Sequence, residues 1–144
     1  MRSLAMIALV AASLAGCQTG TDALTTNDNP QELSPAASSA IAGDMVSRFA
    51  EHVGPGTGTI VLKQDTSPFG QALVAALKGW GYAVATDQKT DDKRPRIQLA
   101  YMVDDFEGQT LARLSTAKVE LAQAYNTTAA GASPASPLSV MQRN

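Results

Sequence analysis

The chain has 144 residues, with 11 Lys and Arg against 13 Asp and Glu, and this length supports one domain rather than several. A single histidine, His52, and a single cysteine, Cys17, exclude a His/Cys metal cluster, a disulfide framework and a Cys–His catalytic dyad. The net charge of −2 comes with no sustained basic stretch, so no direct nucleic-acid partner is expected.

The first 16 residues have the form of a bacterial export signal. Arg2 supplies one positive charge, and the apolar run over residues 4–15 is too short to cross the roughly 30 Å hydrocarbon core as a helix. The sequence Leu14-Ala15-Gly16-Cys17 resembles the lipobox of bacterial lipoproteins, which ends at the lipidated cysteine. This resemblance predicts a signal peptide at 1–16 and lipidation of Cys17. The alternatives are an ordinary signal peptide cut nearby, or a cytoplasmic helix with a buried cysteine.

Lipidation of Cys17 would anchor the mature chain to a membrane. Each buried methylene contributes roughly 0.8 kcal/mol, and two or more acyl chains anchor stably. Gln18 follows the cysteine; in enteric-type sorting an aspartate there favours the inner membrane, so by that analogy we expect the outer membrane, facing the periplasm. Residues 17–34 are polar and rich in turn formers, which predicts a flexible tether with an r.m.s. span of about 20–25 Å.

Ser34-Pro35 predicts the start of a first helix, with serine as N-cap and proline at the first helical position. An apolar stripe at helical period extends it over about 35–52; its members are Ala37, Ile41, Met45 and Phe49. The Gly-rich segment 54–58 ends this helix. It lacks the Gly-Lys-Ser/Thr of a phosphate loop, so we interpret it as a linker.

Ser67-Pro68 repeats the same signal for a second helix, which Gly81 is placed to stop. Its apolar face is predicted to consist of Phe69, Leu73, Leu77 and Trp80. Trp80 is expected to be the main core residue, and truncating it to alanine is expected to cost about 3–5 kcal/mol.

Strands are predicted between and after these helices. Residues 59–64 and 82–86 flank the second helix and are expected to pair in parallel. From residue 96 the pattern alternates, with Ile97, Leu99, Tyr101 and Val103 on one side. A hairpin connection at 104–108 and strands over 110–116 and 119–127 complete an antiparallel meander. The predicted fold class is α+β, a two-layer sandwich with two helices on one face of a mixed sheet, over residues 35–128.

The remaining segment, 129–144, is rich in Pro and Ser, with Leu138 and Val140 able to form a short edge strand. Because alanine contributes 25 residues and aromatic side chains only seven, we expect close helix-to-sheet packing and a thin core. The second sheet face is only partly apolar. That face, or an open edge strand, is where we expect a partner.

Few residues offer site chemistry. Asp104, Asp105 and Glu107 could supply cation ligands or an acid/base pair, but an ordinary acidic turn is the preferred interpretation. Phe106 between them either anchors another protein or folds back over a core edge. Leu138 and Val140 are further candidate partner contacts. His52 fits the last turn of a helix, where a cation-capable side chain is favourable. No catalytic, metal-binding or cofactor-binding residue is predicted, and we do not expect an enzyme.

The whole sequence resembles the TrbH-type conjugal transfer lipoproteins of plasmid mating-pair formation systems. The resemblance is carried by residues 17–19, 41–48, 67–70, 77–82, 121–125 and 134–140. It implies an accessory lipoprotein of a type IV secretion apparatus, and of the family's residues only the lipidated Cys17 transfers to this chain.

Two functional hypotheses follow. In the first, the chain is a structural or assembly protein whose partners are other subunits of a conjugation channel and, through Cys17, the membrane. In the second, it is a periplasmic lipoprotein that binds a ligand or regulates a cell-wall enzyme, because a fold alone does not separate these roles. In neither hypothesis does the chain convert a small-molecule substrate.

Overall fold

The computed structural model describes residues 33–86 and 93–144. Within these ranges the elements, in chain order, are α1 Pro35–Val53, β1 Thr59–Val61, α2 Pro68–Gly79, β2 Ala83–Ala85, β3 Arg96–Gln98, β4 Ala100–Phe106, β5 Gln109–Ser115, β6 Val119–Thr128, β7 Gly131–Pro134 and β8 Ser139–Gln142.

Both helices begin as the Ser-Pro signals predict. The Ser34 side chain accepts the Ala37 N–H at 3.0 Å, and the Ser67 side chain accepts the Gly70 N–H at the same distance. Each serine therefore satisfies one of the backbone donors that the first turn of a helix leaves without a partner.

The second helix ends in a Schellman motif. The Tyr82 N–H donates to the Leu77 carbonyl at 3.2 Å, and the Gly81 N–H donates to Lys78 at 3.0 Å. Gly81 has φ +90°, a left-handed conformation that glycine adopts without steric cost. The predicted stop at Gly81 is confirmed, and it reverses the chain directly into β2.

The strands form two hydrogen-bonded sheets. Sheet A is parallel, in the order β2-β1-β3, and confirms the predicted parallel pair. Sheet B is antiparallel, in the order β4-β5-β6, with β7 and β8 both paired to the far side of β6. The α+β class is confirmed, while the predicted mixed sheet is divided in two.

The division falls at Leu99. The alternation over 97–103 predicts one strand, but Leu99 donates its N–H to the Val61 carbonyl at 2.9 Å and lies between β3 and β4. The chain crosses there from sheet A to sheet B without a loop. The segment 129–144 also adds to sheet B, since β7 and β8 lie within it.

One hydrophobic core joins the helices to both sheets. The first helix packs on β5, β6 and β7, the second packs on β2, and the two helices pack on each other. The largest fully buried side chains include Tyr125, Phe49, Ile41, Met45 and Leu114.

Trp80 does not belong to this core, and the prediction that it does is wrong. Its side chain is 42% exposed. The apolar spacing extends the buried face of the helix to residue 80, but the helix ends at Gly79 and Trp80 is its C-cap, with φ −88° and ψ 4°. Its side chain therefore lies past the last turn.

A buried polar contact ties α1 to sheet B. The Tyr125 hydroxyl donates to Asp44 Oδ2 at 2.7 Å, and Gln123 Oε1 lies 3.2 Å from the same hydroxyl. Burial raises the pKa of Tyr125 well above its usual value, and the hydrogen bond to Asp44 raises it further. The proton is thus held on the hydroxyl, where it joins helix and sheet.

Candidate docking surface

Sheet B has two unlike faces because successive side chains of a strand point to opposite sides. One face, here called the inner face, lies under the helices and contains Ala112, Leu114 and Leu121, all buried. On the opposite face, here called the outer face, no helix of the described ranges packs. Along β4, Met102 and Phe106 are exposed there, whereas Tyr101 is half-buried on the inner side.

The outer face has small residues at its centre and methionines at its rims. One row across the strands is Met102, Arg113, Ala122 and Ser139, and the next is Ala100, Ser115, Glu120 and Met141. Met102 is 37% exposed and Met141 is 57% exposed. Methionine side chains adapt to irregular surfaces and are enriched in protein interfaces, so this face has the chemistry of a protein contact.

An ion cluster lies on the same face. Glu120 contacts two guanidinium groups, Arg113 Nε at 3.4 Å and Arg143 Nη2 at 2.8 Å. These residues come from β5, β6 and the segment after β8, so the cluster links three neighbouring stretches of chain. Both arginines remain partly exposed, and such pairs contribute little to stability. Their significance is that one carboxylate is shared between two positive charges.

The β4–β5 hairpin lies at one end of the sheet. The predicted connection over 104–108 is longer than the observed one, because β4 continues to Phe106 and only Glu107 and Gly108 form the turn. Both turn residues have positive φ, 51° and 79°, as a type I′ hairpin requires. Phe106 is 57% exposed. The side chain therefore does not fold back over the core, and its role as a partner contact stays a prediction.

The other predicted partner contacts lie elsewhere. Leu138 is half-buried and packs against the core, and its role as a partner contact stays a prediction. Val140 is exposed on β8 but pairs with Leu121, an inner-face residue. Two strands, β5 and β6, therefore lie between Phe106 and Val140, and the two side chains lie on opposite faces of the sheet. Met102 and Met141 were not predicted as contacts, although the alternation already placed Met102 opposite the core.

Cys17, the predicted lipidation site, lies outside the described residues. Neither helix of the described ranges combines the length and apolarity needed to cross a membrane. Within those ranges, no three His, Cys, Asp or Glu side chains lie together as metal ligands would. His52 is exposed in the last turn of α1, as its position predicts.

The Gly-rich linker after α1 packs against the end of α2. The Tyr82 hydroxyl donates to the Gly54 carbonyl, and the Tyr82 ring lies 5.9 Å from the Phe49 ring. At Gly56, φ is +62° and the backbone of residues 80–81 lies close by. The linker therefore docks onto the end of α2, consistent with its interpretation as a connection.

Comparison with known proteins gives one consistent result. The family described as "Conjugal transfer protein TrbH" matches residues 19–144. A protein of Sinorhizobium fredii (strain NBRC 101917 / NGR234), named "Probable conjugal transfer protein TrbH", is 53% identical over 150 residues that cover all of both chains. No solved structure matches the chain significantly. The resemblance to TrbH conjugal transfer proteins is confirmed.

Proposed function

Because the chain belongs to the TrbH family of conjugal transfer proteins, we propose that it is a membrane-anchored periplasmic lipoprotein and a structural or assembly component of a conjugative type IV secretion apparatus. In this role it binds other subunits of the channel and performs no catalytic step. The observation that carries the proposal is the family match across nearly the whole chain. The uncovered outer face of sheet B indicates where a subunit would bind.

The anchor in this proposal is a lipid on Cys17, with the outer membrane as its location. In this proposal the segment between Cys17 and Leu33 is the tether, for which a flexible chain of that length has a span of about 20 Å. Leu33 is buried, and the Ser34 hydroxyl donates to the Thr128 carbonyl at 3.2 Å. The tether therefore meets the domain beside the end of β6. A tether of this length would keep the domain near the membrane and would leave it free to rotate, so that its outer face can meet a partner.

The contact in this proposal is the outer face, with Met102, Met141 and the half-buried Leu111 as its apolar residues. The central positions are alanine and serine, so another protein could approach the sheet closely. Since the Arg113–Glu120 pair lies among them, the surface combines apolar and polar groups, as interfaces between separately folded subunits do.

The anchor is tested by Cys17→Ser in the full-length chain. We expect the protein to lose its acyl label, to leave the membrane fraction, and to support conjugative transfer at least tenfold less well. Thr19→Ser, two residues on, is the matched control and should retain label, location and transfer. An unlabelled wild-type chain would contradict lipidation. Full transfer by a demonstrably soluble Cys17→Ser protein would contradict the need for an anchor.

A further inference from the structure

A groove of about 610 Å³ lies at the end of sheet B where β5 turns into β6. Its walls are the end of α1, strand β3, the β5–β6 turn and the residues after β8. Among its described lining residues the ionisable side chains are all basic, namely His52, Arg96, Lys118 and Arg143. Apolar contacts are provided by Val53, Ile97 and Val119. We call it the basic groove.

Positive charge persists in the basic groove after local pairing. Arg143 pairs with Glu120, but that carboxylate also contacts Arg113, so two guanidinium groups share one negative charge. Lys118 is exposed and forms no ion pair with a described residue. An apolar floor beside the exposed Lys118 and the Arg113–Glu120–Arg143 cluster, in which two positive charges share one negative charge, suits an occupant that combines an apolar side chain with carboxylates.

That combination is present at the other end of the same sheet. Phe106 is 57% exposed and is flanked by Asp104, Asp105 and Glu107. None of these carboxylates forms an ion pair with a residue of the described ranges. We call residues 104–108 the acidic tip. Its backbone is fixed by β4–β5 pairing up to Phe106 and Gln109, so it would lose little conformational freedom on binding.

We propose that the acidic tip of one copy of this chain binds in the basic groove of a second copy, so that the copies assemble head to tail. The Phe106 ring would contact the apolar floor, and the carboxylates would face Lys118 and the arginines. The groove volume falls within the about 300–1,000 Å³ range of sites that enclose small groups. An exposed aromatic side chain seated in such a groove has the properties of an interface hot spot.

The contact must form between copies rather than within one. The tip and the groove lie at opposite ends of β4 and β5, and seven residues of strand extend for about 24 Å. Contacts between unlike surfaces propagate from copy to copy and give either a closed ring or an open filament. The inference concerns the folded domain and adds to the proposed function, since it does not depend on the lipid at Cys17.

Cysteine crosslinking of the full-length chain in cells tests the proposal. Gln109→Cys lies beside the tip and Ala117→Cys lines the groove, and neither change alters a charge. With both changes in one chain, a thiol crosslinker should give a ladder of dimers, trimers and larger species. Each single variant should give no ladder. Gln109→Cys combined with Ala75→Cys, an exposed position on α2, is the matched control and should also give none.

Charge reversal then tests the chemistry of the contact in the crosslinking pair. Lys118→Glu or Glu107→Lys should each lower the crosslinked fraction at least fivefold, and the two together should restore it. Lys63→Glu, an exposed reversal outside the groove, should leave it unchanged. The proposal is overturned by the absence of a ladder, by an equal ladder from the Ala75→Cys control, or by attachment of the groove cysteine to a different envelope protein instead. Dimers from a single variant, beyond any that the wild-type chain gives through Cys17, would show a contact between like surfaces and would also overturn the proposal.

Discussion

The inner and outer faces of sheet B are built from the same strands but differ in what covers them. On the inner face Leu114, Leu121 and Tyr125 are at most 1% exposed beneath α1, whereas Met102 and Met141 on the outer face remain open to solvent. Because side chains alternate, each strand serves both faces at once. We infer that stability is concentrated on the inner face, so the outer face can be altered while the fold is retained.

The largest expected effect is on the inner face. Leu114→Ala should lower the free energy of unfolding by about 2–5 kcal/mol, because it removes a fully buried side chain and leaves a cavity. Leu111→Ala, three residues earlier on the same strand and on the other face, should cost less than about 1 kcal/mol. Urea denaturation of the two variants measures the difference. Equal losses would mean that the outer face is packed as tightly as the inner one.

Tyr125→Phe tests the polar contact between the inner face and α1. It removes the hydroxyl that donates to Asp44 and should cost about 1.5 kcal/mol, since the partner is a carboxylate that remains partly hydrated. If the free energy of unfolding hardly changes, the hydrogen bond between Tyr125 and Asp44 makes no net contribution to stability, because water replaces it equally well.

The same residue predicts a pH dependence. Its pKa is raised in the folded state, so its stabilising contribution is fully present below its ordinary pKa of about 10 and is lost as the pH rises through the raised folded value. Above pH 10 the wild type should lose up to about 1.4 kcal/mol per pH unit from this group. The free energy of unfolding, measured by denaturation at about pH 9, 10 and 11, should therefore decrease less steeply with pH in Tyr125→Phe than in the wild type. Parallel curves would contradict this assignment.

The Trp80→Ala variant tests a large side chain that lies outside the hydrophobic core. With 42% of the side chain exposed, truncation should cost about 1 kcal/mol rather than the about 3–5 kcal/mol expected for a core tryptophan. Thermal and urea unfolding would measure it. A loss of free energy of unfolding above about 3 kcal/mol would contradict the position of Trp80 outside the core.

Local signals in the sequence predict most of the elements. Ser34 and Ser67 predict both helix starts, Gly81 predicts one helix end, and the alternation after residue 96 separates core-facing Leu99 from exposed Met102. These features depend on neighbours within a few residues, which a sequence displays directly. The α+β class follows from their order along the chain.

The features that sequence reasoning missed depend on distant contacts. The break at Leu99 arises because Val61, 38 residues earlier, accepts its N–H. Trp80 follows the apolar spacing of a helix that has already ended. Of the site residues, Phe106 is exposed, but the core contacts of Leu138 depend on where the chain returns after β7. The basic groove joins four separate stretches of chain and has no local signature.

Docking through the outer face is tested by changing that face alone and measuring stability and conjugative transfer together. Met102→Glu combined with Met141→Lys places a charge at each of two exposed positions of that face, opposite Arg113 and Glu120 respectively, so that each new charge faces one of the other sign. We expect the free energy of unfolding to change by less than about 1 kcal/mol, membrane location to be retained, and transfer to fall at least tenfold. The control Ala75→Glu, at an exposed position of α2, should retain membrane location and transfer and change stability by no more than about 0.5 kcal/mol. Transfer at the wild-type level by a stable, membrane-located double variant would contradict docking through the outer face.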